Sequence, residues 1–263
     1  MKIIKKILTV LLLVYFALCL LLFFYQDSLI FKNDITKKIE LLPFIDNIDY
    51  IDIKVEKDVH LYGKYKKVRF NKNPLILYFG GHSSDTTSFF NHTSTINTYE
   101  MISFNYRGYV NSQGKPSETN LFNDALKIYD KYARNKEIIV VGKSLGTGVA
   151  TYLASKRKVK ALILITPYDS ILSIAKNSYA LFPIDILLKH KFESSKYIKN
   201  LTIPVVLMQV ENDKVIKSFH FNNLKNNVQN LSSHILFKNI SHSSIFSHKD
   251  FQNLFFNSLE EIK

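Results

Sequence analysis

The sequence predicts an α/β fold with a mostly parallel central β-sheet and helices on both of its faces. One observation supports this fold, and a second adds a separate element. Short apolar runs, typical of strands buried on both faces, alternate along the chain with amphipathic stretches of helical length. A long uncharged segment comes before them and predicts a separate membrane-spanning helix at the N-terminus.

The N-terminal segment comprises residues 7–24, which carry no charge. As a helix it would be about 27 Å long, close to the thickness of the hydrocarbon core of a bilayer. A cleaved signal peptide would have a shorter apolar core followed by small residues, and the run ends without such a pattern. We therefore expect residues 1–27 to be an uncleaved membrane anchor, with cleavage as the alternative.

Lysines flank the predicted anchor on both sides. Lys2, Lys5 and Lys6 precede it, which favours a cytoplasmic N-terminus and a domain on the far, extracytoplasmic side. Lys32, Lys37 and Lys38 follow it and weaken this asymmetry. The expected localisation is a single-pass membrane protein with that orientation.

The first elements after the anchor are predicted to form a hairpin. Ile51, Ile53 and Val55 alternate with charged residues, as in a strand with one buried face. A second stretch follows at residues 59–65, after a break at residues 57–58. This pattern is typical of two antiparallel strands.

The remaining elements alternate between strand and helix. Apolar runs predict strands at residues 74–79, 101–104, 138–141, 159–165, 204–210 and 234–237. Amphipathic stretches predict helices at residues 119–133, 145–155, 215–228 and 251–262. Residues 167–202 separate two strands by more than one crossover requires, and we interpret them as a short cap inserted into a single domain at residues 28–263.

The composition limits the classes of partner. The formal net charge is +13. The chain has 31 Lys but four Arg, the residue preferred for bidentate phosphate contacts. Solvated surface lysines explain this charge, attraction to an anionic membrane is the alternative, and nucleic-acid binding is not expected. Cys19 is the single cysteine, which excludes an internal disulfide and a cysteine metal site, and no metal or cofactor is expected.

A G-x-S-x-G motif at residues 142–146 joins a predicted strand to a predicted helix. In that context the serine lies on a tight turn and its hydroxyl projects above the sheet. The following helix N-terminus favours negative charge developing on a substrate oxygen. Ser144 is therefore the predicted nucleophile, against the alternative of a plain glycine-rich turn.

A serine nucleophile needs a base and an acid that orients the base. Asp213 follows the strand at residues 204–210 and is the predicted acid, with Glu211 as the alternative. His242 follows the last strand and is the predicted base. Of the other histidines after Asp213, we expect His220 and His248 to lie on solvated helix faces.

Two backbone N–H groups are expected to stabilise an oxyanion. One belongs to Leu145, directly after the nucleophile. The other belongs to Gly81 or His82, in the glycine-containing loop after the strand at residues 74–79. The alternative is a simple turn without a role in binding.

These motifs together resemble the membrane-anchored α/β-hydrolase-domain serine hydrolases, in the branch that includes protein depalmitoylases. The similar segments are Q-D-S at residues 26–28, G-G-H at 80–82, N-Y-R-G-Y at 105–109, G-K-P-S-E at 114–118 and the apolar cap. The resemblance implies the α/β-hydrolase fold for nearly everything after the anchor. It also implies that Tyr106 and Arg107, with Tyr179 and Phe182 of the cap, contact the substrate.

The chain departs from the family pattern at three positions. Asn105 stands where Asp is usual, Val110 where Gly is usual, and His82 where Asn is usual. None of these changes removes a predicted catalytic residue, although the first two affect the loop around Arg107.

The sequence thus predicts a serine hydrolase that cleaves an ester or thioester through an acyl-enzyme on Ser144. The apolar cap and the anchor favour a substrate with an acyl chain, such as a lipid or an acylated protein. Two alternatives remain: a non-catalytic binding protein that keeps the fold, and a serine peptidase acting on small peptides.

Overall fold

The computed structural model describes residues 1–32, 47–69, 72–83, 86–133 and 135–263. The chain begins with helix α1, Lys2–Ile30. By length and composition, α1 is the one helix of the described residues that could cross a membrane. Lys37 and Lys38, on which part of the topology prediction depends, lie outside the described residues.

The central sheet of the described residues has eight strands in the order β1-β2-β4-β3-β5-β6-β7-β8. The pairs β1–β2 and β2–β4 are antiparallel, and the remaining pairs are parallel. The strands are β1 Ile48–Glu56, β2 Val59–Lys66, β3 Leu75–Phe79, β4 Met101–Phe104, β5 Ile138–Lys143, β6 Ala161–Ile165, β7 Val205–Val210 and β8 Leu231–Phe237.

The central strands are apolar because helices cover both of their faces. Every residue of β3, β5 and β6 is buried. In β5, Val140 pairs with Leu77 on one side and Leu162 on the other. Runs without polar alternation are what burial on both faces requires.

The helices that flank the sheet are α2 Thr86–His92, α3 Glu118–Tyr132, α4 Leu145–Lys156, α8 Ser218–Lys225 and α9 Phe251–Ile262. Apolar side chains pack on both sides of the sheet, in one cluster that includes residues of α3 and α4 and a second that includes residues of α2 and α9. The cap contains the short helices α5 Ile171–Ser178, α6 Ile184–Leu187 and α7 Ser194–Ile198. The prediction of a mostly parallel sheet with helices on both faces is confirmed.

Some details differ from the sequence prediction. Helix α2 was not predicted, since its seven residues are too short for a clear helical period. Helix α8 begins at Ser218 rather than near Val215, because the preceding residues form the loop that carries Asp213. Helix α1 extends beyond the apolar run at both ends.

Candidate active site

Ser144 lies at the junction of β5 and α4 in an unusual backbone conformation. Its φ is 50° and its ψ is −119°, a region that residues other than glycine rarely occupy. The backbone N–H of Ser144 donates to the carbonyl oxygen of Ile165 in β6 at 2.9 Å. The neighbouring strand thus helps to hold the strained turn.

The two glycines of the motif allow this turn to pack tightly. A Cβ on Gly142 would lie 2.5 Å from the carbonyl oxygen of Gly146. A Cβ on Gly146 would lie 2.2 Å from the carbonyl oxygen of Phe79. Because these are backbone contacts, no side chain can move aside, and the second glycine lets the loop after β3 approach the start of α4.

Three predicted residues from separate loops form one hydrogen-bonded chain. Oγ of Ser144 lies 2.9 Å from Nε2 of His242, and Nδ1 of His242 lies 2.6 Å from Oδ2 of Asp213. A carboxylate only accepts, so Nδ1 carries the proton and Nε2 is free to accept one from the serine. All three residues follow parallel strands, whose carboxyl ends meet at one edge of the sheet.

Asp213 is fixed by two further hydrogen bonds. Its Oδ1 accepts from the backbone N–H groups of Val215 and Ile216, each at 2.8 Å. The alternative acid, Glu211, is directed elsewhere: its carboxylate is partly exposed and lies 4.0 Å from Nζ of Lys238. The structure therefore brings Asp213, and not Glu211, to His242.

The predicted oxyanion loop lies beside the serine. His82 and Leu145 line the same cavity as Ser144, and Gly81 is buried next to His82. Two tyrosine hydroxyls hold this loop: Tyr106 donates to the carbonyl oxygen of Gly80 and Tyr109 to that of His82, both at 2.8 Å. The loop conformation is thus set by the segment that follows β4.

Two predicted substrate contacts are corrected by the structure. Tyr106 is buried beneath the loop and does not line the cavity. The guanidinium of Arg107 is buried and engaged with two carboxylates, Asp124 at 2.7 Å and Glu56 at 2.8 Å. Tyr106 therefore supports the loop and Arg107 joins α3 to the end of β1, so their polar groups are already occupied within the protein.

The two cap residues differ from each other. Tyr179 lines the cavity. Phe182 does not line it; its ring stacks on that of Tyr15 in α1, with the centroids 5.7 Å apart. Phe182 therefore joins the cap to the N-terminal helix.

The cavity beside Ser144 has a volume of about 350 Å³ and is mostly apolar. Helix α1 and the cap supply most of its walls. The apolar lining comprises Leu22, Leu29, Ile30, Leu145, Ile171, Ile174, Ala175, Ile184, Leu187, Leu188, Val215 and Ile216. Its size is in the range of small-ligand sites.

Two titratable side chains near Ser144 have pKa values lowered by burial. Lys143 is buried and precedes Ser144 in the chain, and burial lowers the pKa of its ammonium to about 8. Its Nζ donates to the carbonyl oxygen of Ser243 at 3.5 Å and lies 4.3 Å from the centre of the Phe246 ring. Burial also lowers the pKa of His82, with smaller contributions from Lys32, His242 and Lys143.

The prediction of a solvated His220 is wrong. His220 was expected on a solvated face, but it is 2% exposed and its Nδ1 lies 2.9 Å from Oδ1 of Asp169. Asn223 also donates to Asp169, at 3.0 Å. These contacts join the base of the cap to α8. Nothing in the sequence pairs residues so far apart along the chain.

Comparison with known proteins identifies the fold independently. A family model described as "alpha/beta hydrolase fold" matches residues 78–192, which include the Ser144 turn and the first part of the cap. Among solved structures, mouse alpha/beta hydrolase domain-containing protein 10 superposes with a TM-score of 0.64 at 18% identity, covering 81% of this chain and 97% of that chain.

Curated relatives with similar sequences are lysophosphatidylserine lipases named ABHD12. The Danio rerio protein is 28% identical over 58% of this chain and 46% of its own length. The Xenopus tropicalis protein is 30% identical over 59% of this chain and 47% of its own length. The chain thus matches about half the length of these relatives.

Proposed function

Because the chain belongs to the α/β-hydrolase superfamily, we propose that it is a serine hydrolase that cleaves an acyl ester or thioester. The observation that carries the proposal is the hydrogen-bonded chain from Ser144 through His242 to Asp213. A serine hydroxyl is a weak nucleophile, and this arrangement supplies the base and the group that orients it.

In the proposed reaction, Nε2 of His242 takes the proton of Ser144 as Oγ attacks the acyl carbonyl carbon. The tetrahedral intermediate collapses to an acyl-enzyme, and His242 returns the proton to the leaving oxygen or sulfur. Water then attacks the acyl-enzyme with His242 again as base, releasing the acid and free Ser144. Asp213 holds the imidazole in the required tautomer and stabilises its cationic form.

The oxyanion would be stabilised by two backbone N–H groups. We assign these to Leu145 and to His82 or Gly81, since Leu145 and His82 line the cavity beside Ser144. Such preorganised donors act where negative charge develops, and removing one typically costs about 10²–10³ in rate. The hydrogen bonds from Tyr106 and Tyr109 support this part of the site.

The substrate is proposed to carry a fatty-acyl chain. The cavity walls are largely apolar, and one of them belongs to a helix long and apolar enough to span a bilayer. The relatives named lysophosphatidylserine lipases favour a lipid ester over a peptide. We propose a single-pass membrane protein with its N-terminus in the cytoplasm and its domain on the other side.

The proposal is tested with purified full-length protein in detergent. Acyl p-nitrophenyl esters, an acyl thioester and aminoacyl amides are compared as substrates, with Ser144→Ala as the inactive variant and Ser232→Ala, on a partly exposed strand, as the control. We expect turnover of ester and thioester by the wild type and the control, and none by Ser144→Ala. Preference for the amides would indicate a peptidase, and no turnover of any substrate would favour the non-catalytic alternative.

A further inference from the structure

Helix α1 is fixed to the cap by polar contacts as well as apolar ones. The buried side chain of Gln26 donates to the carbonyl oxygen of Leu187 at 3.0 Å and accepts from the N–H of Lys189 at 2.7 Å. Oδ1 of Asp27 lies 3.1 Å from Nε2 of His190. Separating α1 from the cap would leave these backbone groups unpaired, which is costly in an apolar setting.

A second contact lies much further towards the start of the helix. The hydroxyl of Tyr15 donates to the carbonyl oxygen of Leu181 at 2.9 Å, and its ring stacks on Phe182. Tyr15 is about 14 Å along the helix axis from Phe24, at 1.5 Å per residue. The cap therefore lies beside α1 along about half of the apolar run of this helix.

The part of α1 that extends past its contacts with the cap is too short to cross a bilayer. The part of the apolar run before Tyr15 reaches only about 12 Å, whereas the hydrocarbon core is about 30 Å thick. If α1 spans the membrane, the tip of the cap, residues 179–186, therefore lies within the hydrocarbon core. Leu181 and Ile186 at that tip are 85% and 83% exposed, which suits contact with lipid.

The charge within the cap tip is compensated. Asp185 lies between two isoleucines, and its Oδ1 is 2.7 Å from Nζ of Lys176. Pairing lowers the cost of bringing a carboxylate towards hydrocarbon, and a lysine near the interface can extend its ammonium to the headgroups. The pair therefore lowers the cost of placing the cap tip in the bilayer.

The cavity runs along α1 from the catalytic end towards the membrane. Leu22, Gln26, Leu29 and Ile30 all line it, which corresponds to about 12 Å of helix. Lys32, just after α1, hydrogen-bonds through its backbone to the hydroxyl of Tyr109, which itself contacts the oxyanion loop. The Ile30 end is thus the catalytic end, and Leu22 lies at the far end.

From this geometry we infer that α1 is one wall of the acyl-binding cavity and that the cap tip enters the bilayer, so that the acyl chain of a bilayer lipid reaches Ser144 without passing through water. The inference about substrate rests on the proposed function. The position of the cap in the membrane does not depend on it.

Tryptophan fluorescence tests the membrane position, because the chain contains no tryptophan. Full-length Leu181→Trp is reconstituted in phosphatidylcholine vesicles with brominated acyl chains. The control is Tyr50→Trp, an exposed site on the edge strand β1. We expect blue-shifted emission that bromine quenches by at least half at position 181, and unquenched emission at position 50. Equal, unquenched emission from both would overturn the inference.

A pair of variants on adjacent residues of α1 tests the cavity wall. Leu22→Trp fills the far end of the cavity, whereas Leu21→Trp changes a side chain that is 52% exposed and does not line it. For p-nitrophenyl palmitate in mixed micelles, kcat/KM should fall at least tenfold in Leu22→Trp and less than twofold in Leu21→Trp. For the butyrate ester, Leu21→Trp should stay within twofold of the wild type, and the loss in Leu22→Trp should be at least fivefold smaller than its loss on the palmitate ester.

If kcat/KM fell equally on both esters in Leu22→Trp, or fell on neither, the assignment of α1 as a wall of the cavity would be contradicted. If the wild type hydrolyses neither ester, the proposed function fails, and the quenching result still decides the position of the cap. The two failures are therefore distinguishable.

Discussion

The hydroxyl of Tyr109 donates a 2.8 Å hydrogen bond to the carbonyl oxygen of His82 and so connects the loop after β4 to the proposed oxyanion loop. Burial raises the pKa of this hydroxyl well above its ordinary value, so it remains a donor throughout the neutral range. The bond fixes the peptide plane of a residue that lines the cavity beside Ser144.

Tyr109→Phe should therefore slow catalysis without weakening substrate binding. We expect kcat to fall about tenfold, less than for loss of a donor itself, because the N–H group is displaced rather than removed. KM should stay within about twofold. Tyr129→Phe is the matched control, since its hydroxyl donates to the carbonyl oxygen of Lys158, away from the cavity, and it should retain full kcat. An unchanged kcat in Tyr109→Phe would show that the loop holds its position without this bond.

The two carboxylates that follow β7, Asp213 and Glu211, should differ strongly in their effect on kcat. Asp213→Asn removes the acceptor that fixes the tautomer of His242, and kcat should fall by about 10³–10⁴. Glu211→Gln, two residues earlier, should leave kcat within twofold, since Glu211 lies near Lys238 instead. Steady-state kinetics on one ester measures both. A larger effect from Glu211→Gln would reverse the assignment of the acid.

The sequence predicted the elements whose signals are local. Apolar runs located the central strands, since strands covered on both faces leave no polar positions. The motif at residues 142–146 and the loop positions of Asp213 and His242 were sufficient to identify the candidate triad, because parallel strands bring their carboxyl ends to one edge.

The remainder depended on contacts between distant residues. Arg107 and Tyr106 were expected at the substrate, yet their partners, Asp124 and the carbonyl of Gly80, are fixed only by tertiary packing. The same holds for His220 with Asp169, and for the docking of α1 on the cap through Gln26. No spacing along the chain reveals such pairs.

Val110 has a φ of 52°, a left-handed conformation that strains a β-branched residue. The strain costs about 1–3 kcal/mol, and glycine relieves it at an entropic cost of about 0.5–1 kcal/mol. Val110→Gly should therefore raise the free energy of unfolding by about 1 kcal/mol and Tm by about 2–4 °C. Val110→Ala keeps the strained Cβ and should give less than half of this gain. Thermal unfolding in detergent compares the three proteins, and a lower Tm for Val110→Gly would contradict the prediction.

Lys143 should make stability depend on pH. Its pKa is about 8 in the folded protein, against an ordinary value of 10.5. Between these values the unfolded chain binds more protons than the folded one, so the free energy of unfolding rises with pH, by up to about 3 kcal/mol from this group. Below pH 8 the buried ammonium is charged and its cost is fully present.

Lys143→Met removes this contribution. The variant should be more stable than the wild type at pH 7, and the difference should shrink as pH rises towards 10.5. Denaturant unfolding at several pH values measures it. Lys66, whose pKa burial also lowers to about 8, is present in both proteins and cancels in the comparison. A difference independent of pH would show that Lys143 is not desolvated as the structure indicates.

The central claim is that Ser144 is a nucleophile activated by His242, and covalent labelling tests it most directly. Full-length protein is treated with a fluorophosphonate probe, and the modified peptide is identified by mass spectrometry. We predict one adduct, on Ser144, which is absent in Ser144→Ala and forms at least 100-fold more slowly in His242→Ala. Labelling of another residue, or labelling that persists in Ser144→Ala, would contradict the account.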